Sequence, residues 1–302
     1  MDLLTGLMSV SIYEGLVYGF VAIGVYFTFR VLSFPDLTVD GSFPLGGAVA
    51  AILIINGADP WLATLAALGA GACAGLGTAL LNTKLRINAL LAGILMMVAL
   101  YSINLMIMRR SNIPLLREVT IFDQVARVLG MRADITLSII VMVVLSAIAL
   151  FVLNWFLHTE IGLALRATGD NEQMVRGLGT NTNMTTILGV SLSNGLVALS
   201  GALVAQNQGF SDVGMGIGMI VMGLASVIIG EGIFRPRKIT TILLAVVGGA
   251  FAYRLFIGIA LRLGLPPTNL KLITAVLVII ALAIPYIKKR MQHEWLPPAA
   301  RM

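Results

Sequence analysis

Nine long apolar runs leave this chain little choice of solvent. They lie near Ile12–Leu32, Phe43–Ile55, Trp61–Leu81, Ile87–Met108, Leu137–Leu157, Ile187–Ala205, Gly214–Gly230, Thr240–Leu261 and Leu272–Ile287. A helix that crosses a bilayer needs about 20 mostly apolar residues, roughly 17 to 25. The second run is short and opens on Phe43-Pro44, which suits a re-entrant segment or half of a broken helix. The seventh is short and carries Gly214, Gly216, Gly218 and Gly223. Charged residues make up only 11% of the 302, against about 25% in a soluble domain. Such a chain cannot cover a water-facing surface with polar groups. The expected fold is therefore all-α and polytopic, a single transmembrane domain over 1–302 with about nine spans.

Basic residues in the connecting loops give an orientation, because Lys and Arg concentrate on the cytoplasmic side. Lys288, Lys289, Arg290 and Arg301 place the C-terminus inside. Counting back, Glu231–Ile239, His158–Thr186 and the turn with Lys84 and Arg86 are also inside. Nine crossings then put the N-terminus outside, and Met1–Phe29 contains no Lys or Arg. That also removes the basic start of a signal peptide. The loop Arg109–Thr136 falls outside despite five arginines. Its stretch Val119–Leu129 suits an interfacial helix. The net charge of +6 fits basic cytoplasmic loops and gives no nucleic-acid signal. One cysteine, Cys73, excludes internal disulfides. His158 and His293 lie far apart, so no metal site is expected.

The runs group as four, one and four. An offset of 176 residues lays Phe34 on Phe210, Asp36 on Asp212, Gly47 on Gly223 and Ile52 on Ile228. Each stretch follows a span and enters a short one, near 36–55 and 212–230. Five crossings separate the two, so they face opposite ways. Inverted repeats with interrupted helices in matching places are a signature of transporters. The expected division is repeat one at about 10–110, a linking span at 137–157, a cytoplasmic segment at 158–186 and repeat two at about 187–290.

Polar residues inside spans are the informative ones, since the bilayer penalises them. Arg254 either meets another helix or a cavity, or snorkels to the outer interface. Asn104 and Asn194 line a pathway or hydrogen-bond across helices, the second being the simpler reading. Asp36 and Asp40 either build a broken-helix site or, with Ser42, cap the next helix, and capping is again simpler. Met215, Met219 and Met222 read as packing residues, and Gly69, Gly71, Gly75 and Gly77 as close helix contacts. No catalytic set, no P-loop and no cofactor motif is present.

The segment Thr159–Asn181 is too polar to span. Asp170–Leu178 reads as a short helix with Asp170 as its N-cap and Gly177 and Gly179 at its end. It runs G-L-A-L-R-A-T-G-D from Gly162 and ends with Leu178-Gly179, and it resembles the coupling region of permeases in binding-protein-dependent ABC importers, the branched-chain amino acid and ribose branch. Gly162, Arg166, Ala167 and Asp170 match that pattern, whereas Val175 and Arg176 stand where the family prefers alanine. The stretches from Pro35 and from Gly223 are similar to two further family segments, so the resemblance covers most of 10–287. It lies nearest a tryptophan/tyrosine-type subgroup. It implies a permease subunit in the inner membrane, without its own ATPase site. It also implies a second permease copy, two ATP-binding subunits on the cytoplasmic side and an extracytoplasmic substrate-binding protein. Arg166, Asp170, Met174, Leu178 and Gly179 then become the residues that couple to the ATPase. The cargo it implies is a small solute of the amino-acid kind. Two rival classes are a self-standing secondary transporter, which needs an ion-coupling acid in the membrane, and an intramembrane enzyme, which needs a catalytic set.

Overall fold

The computed structural model describes residues 3–131, 134–263, 272–276, 278–279 and 283. Helix α1 (Leu3–Tyr26) continues as five π-helical residues, Phe27–Val31. Then come α2 (Val39–Ile55), α3 (Pro60–Thr83), α4 (Ala89–Met108), the short strand β1 (Asn112–Pro114) and α5 (Ile121–Leu129). Helix α6 (Ile135–His158) leads to α7 (Glu160–Asp170), α8 (Glu172–Gly177) and α9 (Thr182–Gln208). Strand β2 (Phe210–Asp212), a 3-10 turn at Val213–Gly216, α10 (Met219–Phe234) and α11 (Ile239–Arg262) follow. Seven helical segments among the described residues are long and apolar enough to cross a bilayer, and α2 is a shorter apolar helix. The all-α polytopic class holds. Half of the expected span Leu272–Ile287 lies outside the described residues.

Local chemistry sets many of the ends. Asp59 caps α3 by accepting the Trp61 and Leu62 N–H groups, with Pro60 at the first helical position. Thr120 and Asp123 cap α5 reciprocally, and Gly130 ends it in a left-handed conformation. A helix, α5, does form within the stretch Val119–Leu129. Its Ile121 N–H reaches Gln206 of α9 (3.1 Å) and its Gln124 reaches Asp59 of α3 (3.0 Å). The strand pair β1–β2 was not legible in the sequence. It is antiparallel, with Asn112 opposite Asp212 and Pro114 opposite Phe210.

Two helices form the centre. In α1 and α9, 78% and 72% of the spanning window is buried, against 22% in α4 and 28% in α6. The outer helices therefore face lipid or other chains. Helix α9 packs mainly on α2 and α3, while α1 packs mainly on α10 and α11. Where α1 and α9 meet, Ser193 Oγ donates to the Gly24 carbonyl (2.7 Å) and Ser200 Oγ to the Val17 carbonyl (2.8 Å). Apolar burial gives helices no advantage over lipid tails, so membrane helices associate through such close approaches and bonds.

The glycines of α3 differ in what surrounds them. A methyl at Gly71 would overlap Ala198 and the Asn194 carbonyl of α9, while Gly75 faces the Val190 carbonyl. Gly69 has nothing within 4 Å. So the expectation of close contacts holds for Gly71 and Gly75 and fails for Gly69. Gly71→Ala should destabilise the protein by about 1–3 kcal/mol through overpacking. Gly69→Ala should instead be neutral or stabilising by up to about 1 kcal/mol, because glycine weakens a helix. Thermal unfolding in detergent reads both, and equal shifts would refute this packing.

Candidate functional site

Helix α2 is shorter than a full crossing, and α10 reaches spanning length only together with the 3-10 turn before it, over Val213–Phe234. Their 17 and 16 residues give about 25 Å at 1.5 Å per residue, below the roughly 30 Å hydrocarbon core. Each is preceded by non-helical chain, and that chain needs partners for its polar groups. Asp36 supplies them before α2. It is fully buried, accepts the Thr38 N–H (2.8 Å) and the Asn194 amide (2.6 Å). Asn194 in turn accepts from Ser42 Oγ (2.7 Å). Thr38 and Thr78 join their hydroxyls at 2.7 Å. Asn194 is thus a cross-helix bonding residue that reaches the broken segment.

Asp40 does something different from what the sequence suggests. It lies in the first turn of α2 but caps α10. Its carboxylate accepts the Gly218 N–H (2.9 Å) and the Ile220 N–H (2.8 Å). Gly218, at the N-cap of α10, has a left-handed backbone and no side chain to offer. An acid at a helix N-terminus satisfies orphan donors and complements the dipole. The Thr38 side chain at the N-cap of α2 makes no capping bond. The expectation that Asp36 and Asp40, with Ser42, cap α2 is therefore corrected for Asp40 and Ser42, while Asp36 does accept the N–H of Thr38 at the start of α2. Pro44 in the second turn of α2 leaves the Asp40 carbonyl without its usual donor. A Cβ at Gly216 would strike that carbonyl. Asn104 of α4 closes the same corner by donating to the Gly41 carbonyl (3.2 Å). A cavity of about 390 Å³ lies beside Asp40, Asn104, Tyr101 and Ile217.

Arg254 points inward. Its guanidinium carbon sits 3.6 Å from the centre of the Tyr18 ring. Its Nη1 is 3.5 Å from Glu14 and its Nη2 is 3.7 Å from Met222 Sδ. The side chain is 16% exposed. The side chain thus faces α1 and α10. Sequence reasoning missed Tyr18 and passed over Glu14. The signal was an acid within an apolar run. Arg254 and Glu14, Asp36 and Asn194, and Asp40 and Asn104 form three separate groups.

The polar segment 158–186 folds as two helices. The corrected boundary lies at Asn171, whose extended backbone ends α7 and whose side chain caps α8 by accepting the Met174 N–H. Asp170 is the exposed last residue of α7, not a cap. Helix α7 is fixed from two sides. Thr168 hydrogen-bonds Thr185 of α9 (2.9 Å), and Gly169 presses on the Val31 carbonyl so closely that a Cβ would overlap it. Arg166 is half-buried on α7. Nearby, Arg30 pairs with Glu231 of α10. In α8, Val175 is buried and Arg176 bonds Glu172 (2.5 Å) and Thr182 (2.8 Å). Met174 and Leu178 stay 57% and 76% exposed. Gly179 follows with a left-handed φ of 88°.

Known proteins resemble the chain along nearly its whole length. Residues 7–282 match the family described as branched-chain amino acid transport system / permease component. A tyrosine transport system permease protein of Clostridioides difficile is 42% identical over 280 residues, covering 93% of this chain and 91% of its own. The ribose import permease protein of Escherichia coli is 30% identical over 172 residues, covering 55% and 51%. A solved structure of PsaBC from Streptococcus pneumoniae in complex with Fab shares the fold, with a TM-score of 0.53 at 14% identity over 93% of this chain and 91% of that one. This chain belongs to the family of permease components of branched-chain amino acid transport systems.

Proposed function

We propose that this chain is the membrane-spanning subunit of an ATP-driven importer that moves a small solute of the amino-acid class into the cell by alternating access. It has no ATPase site of its own. Two ATP-binding subunits dock on the cytoplasmic side, a binding protein delivers cargo outside, and a second permease copy completes the pathway. The N-terminus lies outside and the C-terminus inside the inner membrane. The amino-acid class rests on the relative whose name specifies tyrosine.

The observation that carries this reading is the surface of α8. Its six residues are about 9 Å long at 1.5 Å per residue. Val175 is buried beneath it and the Arg176 bonds hold it to α9, so Met174 and Leu178 project as a fixed apolar pair. A few desolvated anchors carry most of the energy of an interface. This pair suits a groove on a soluble ATPase.

An inverted repeat over about 10–110 and 187–290 belongs to the same reading. Its support is reciprocal contact. The offset of 176 exchanges the bonded pair Ser193–Gly24 with the bonded pair Ser200–Val17. Gly15 lies against Phe251 and Gly75 against Ser191, which the same offset exchanges. Asp36 and Asp212 each accept the N–H two residues on, at 2.8 and 2.7 Å. Pairs that exchange in this way are the mark of a two-fold relation. Rocking of one repeat against the other then alternates access. One observation favours the rival secondary transporter, namely the buried acid Asp36. Its oxygens already serve Thr38 and Asn194, so we assign it to holding the broken segment.

Replacing both Met174 and Leu178 with Asp should leave the permease folded, since both side chains are exposed. Recovery of the co-purified ATPase should fall roughly tenfold or more, because a charge buried in the groove is costly. ATP-driven uptake into proteoliposomes should stop. Full retention of both would remove the coupling role of α8. Orientation is tested in a Cys73→Ala background, where Asn56→Cys should be labelled from outside by a membrane-impermeant maleimide and Arg237→Cys should be labelled only after permeabilisation. The reverse pattern would invert the topology.

A further inference from the structure

The two-fold offset supplies an internal control for the polar residues. It lays Tyr18 on Asn194 and Arg254 on Thr78. Asn194 and Thr78 belong to the junction of α9 with α2 and α3, where their side chains bond Asp36, Ser42 and Thr38. One buried carboxylate, fully partnered, suffices there. The matching junction of α1 with α10 and α11 is packed as tightly, with Gly15 only 2.6 Å from the Phe251 Cα if a Cβ is added. Yet it carries an arginine, a glutamate and two tyrosines. Its polar groups are not closed. Arg254 Nε and the Tyr13 hydroxyl are buried and have no hydrogen-bond partner among the described residues. The Arg254–Glu14 contact, at 3.5 Å, is long for a paired charge. Charged residues within spans are costly, and the first junction shows that this kind of packing does not require a cation.

Beside these residues lies a cavity of about 290 Å³ between α1, α6 and α9. Tyr13, Glu14 and Tyr18 line it, together with Asp134, Asn207 and Gln208. Tyr13 is only 6% exposed, and its ring abuts Phe122 of α5 edge-on at 6.2 Å. Among the described residues the lining contains two carboxylates, Glu14 and Asp134, and no lysine or arginine. Arg254 approaches Glu14 while lying on the Tyr18 ring. The chemistry that completes such a cavity is a compact cation able to donate several hydrogen bonds, next to aromatic surface.

We propose that this outer cleft binds the primary ammonium group of an amino-acid-sized compound. Glu14 accepts from the ammonium and the Tyr13 hydroxyl provides a further acceptor. Arg254 competes with the ammonium for Glu14 and is a positioning residue. The choice of an amino compound rests on the amino-acid reading above. The cleft lies at the end where α1 begins and α9 ends, which that reading places outside.

The test uses the full chain in lipid nanodiscs with three radiolabelled probes, namely tyrosine, tyramine and 3-(4-hydroxyphenyl)propionate. Tyrosine and tyramine should bind, and the amine-free acid should bind at least tenfold more weakly. Glu14→Gln should weaken tyramine at least tenfold. Tyr13→Phe should weaken it a few-fold without lowering the thermal midpoint, because the lost hydroxyl has no partner. Arg254→Gln should strengthen tyramine binding, the opposite sign from a merely structural role. Should the arginine variant fail to fold, the Glu14 and Tyr13 variants decide alone. Absence of amine binding by the unmodified protein, or equal binding of the amine-free acid, overturns the proposal. So does unchanged binding by Glu14→Gln. ATPase co-purification with the same nanodisc sample separates the two readings. If it persists without amine binding, only the cleft is lost, and if it is absent the importer reading fails by itself.

Discussion

In the hydrocarbon core no water is present to satisfy a free N–H or C=O, so every break in a helix must be repaired by the protein itself. That constraint governs the middle of this molecule. The chain leaves helical geometry between Val31 and Val39 and again between Gln208 and Met219. The first break is closed by Asp36, Asn194 and the paired threonines. The second is closed by the β1–β2 ladder, by Asp212 and by the Asp40 carboxylate reaching over from α2. Each break is thus partly repaired by residues far away in sequence. This ties α2, α9 and α10 together more firmly than helix packing alone.

The spans were legible because a 20-residue apolar run has few alternatives in water or lipid. Helix α5 was legible as an apolar stretch within a charged loop. The roles of the buried acids were not. Asp40 and Ser42 sit where a capping residue of α2 belongs, and only the fold reveals that Asp40 faces the start of α10. Gly218 gave a hint, since a helix starting on glycine needs a cap from elsewhere. The second short helix of 158–186 starts one residue later than the sequence suggests, because Asp170 and Asn171 are equally good capping types and the extended backbone at Asn171 decides between them. The ladder Asn112–Pro114 with Phe210–Asp212 is three residues long and pairs segments about a hundred residues apart, so no local pattern marks it.

Helices α1 and α9 are unlike the others. They are enclosed on most sides, and small residues with serine hydroxyls carry their contact. Their partners are exchanged between halves, α1 lying on α10 and α11 and α9 on α2 and α3. Neither half therefore has a complete interior by itself. The molecule resembles two clasped hands, and separation of the halves would expose both central helices. The side chains of α4 and α6 are the least covered among these spans, followed by those of α3 and α11.

The grip of α7 has a mechanical consequence. Gly169 abuts the last π-helical turn of α1 while the neighbouring Thr168 holds the start of α9. One short helix is thereby yoked to the ends of both central helices. A force on it cannot be absorbed by bending a single strut, because the two ends must travel together. The serine bonds where α1 and α9 meet lie further along the same pair and hold it at two more points. A displacement at the yoke therefore carries α1 and α9 along as one unit and does not splay them apart.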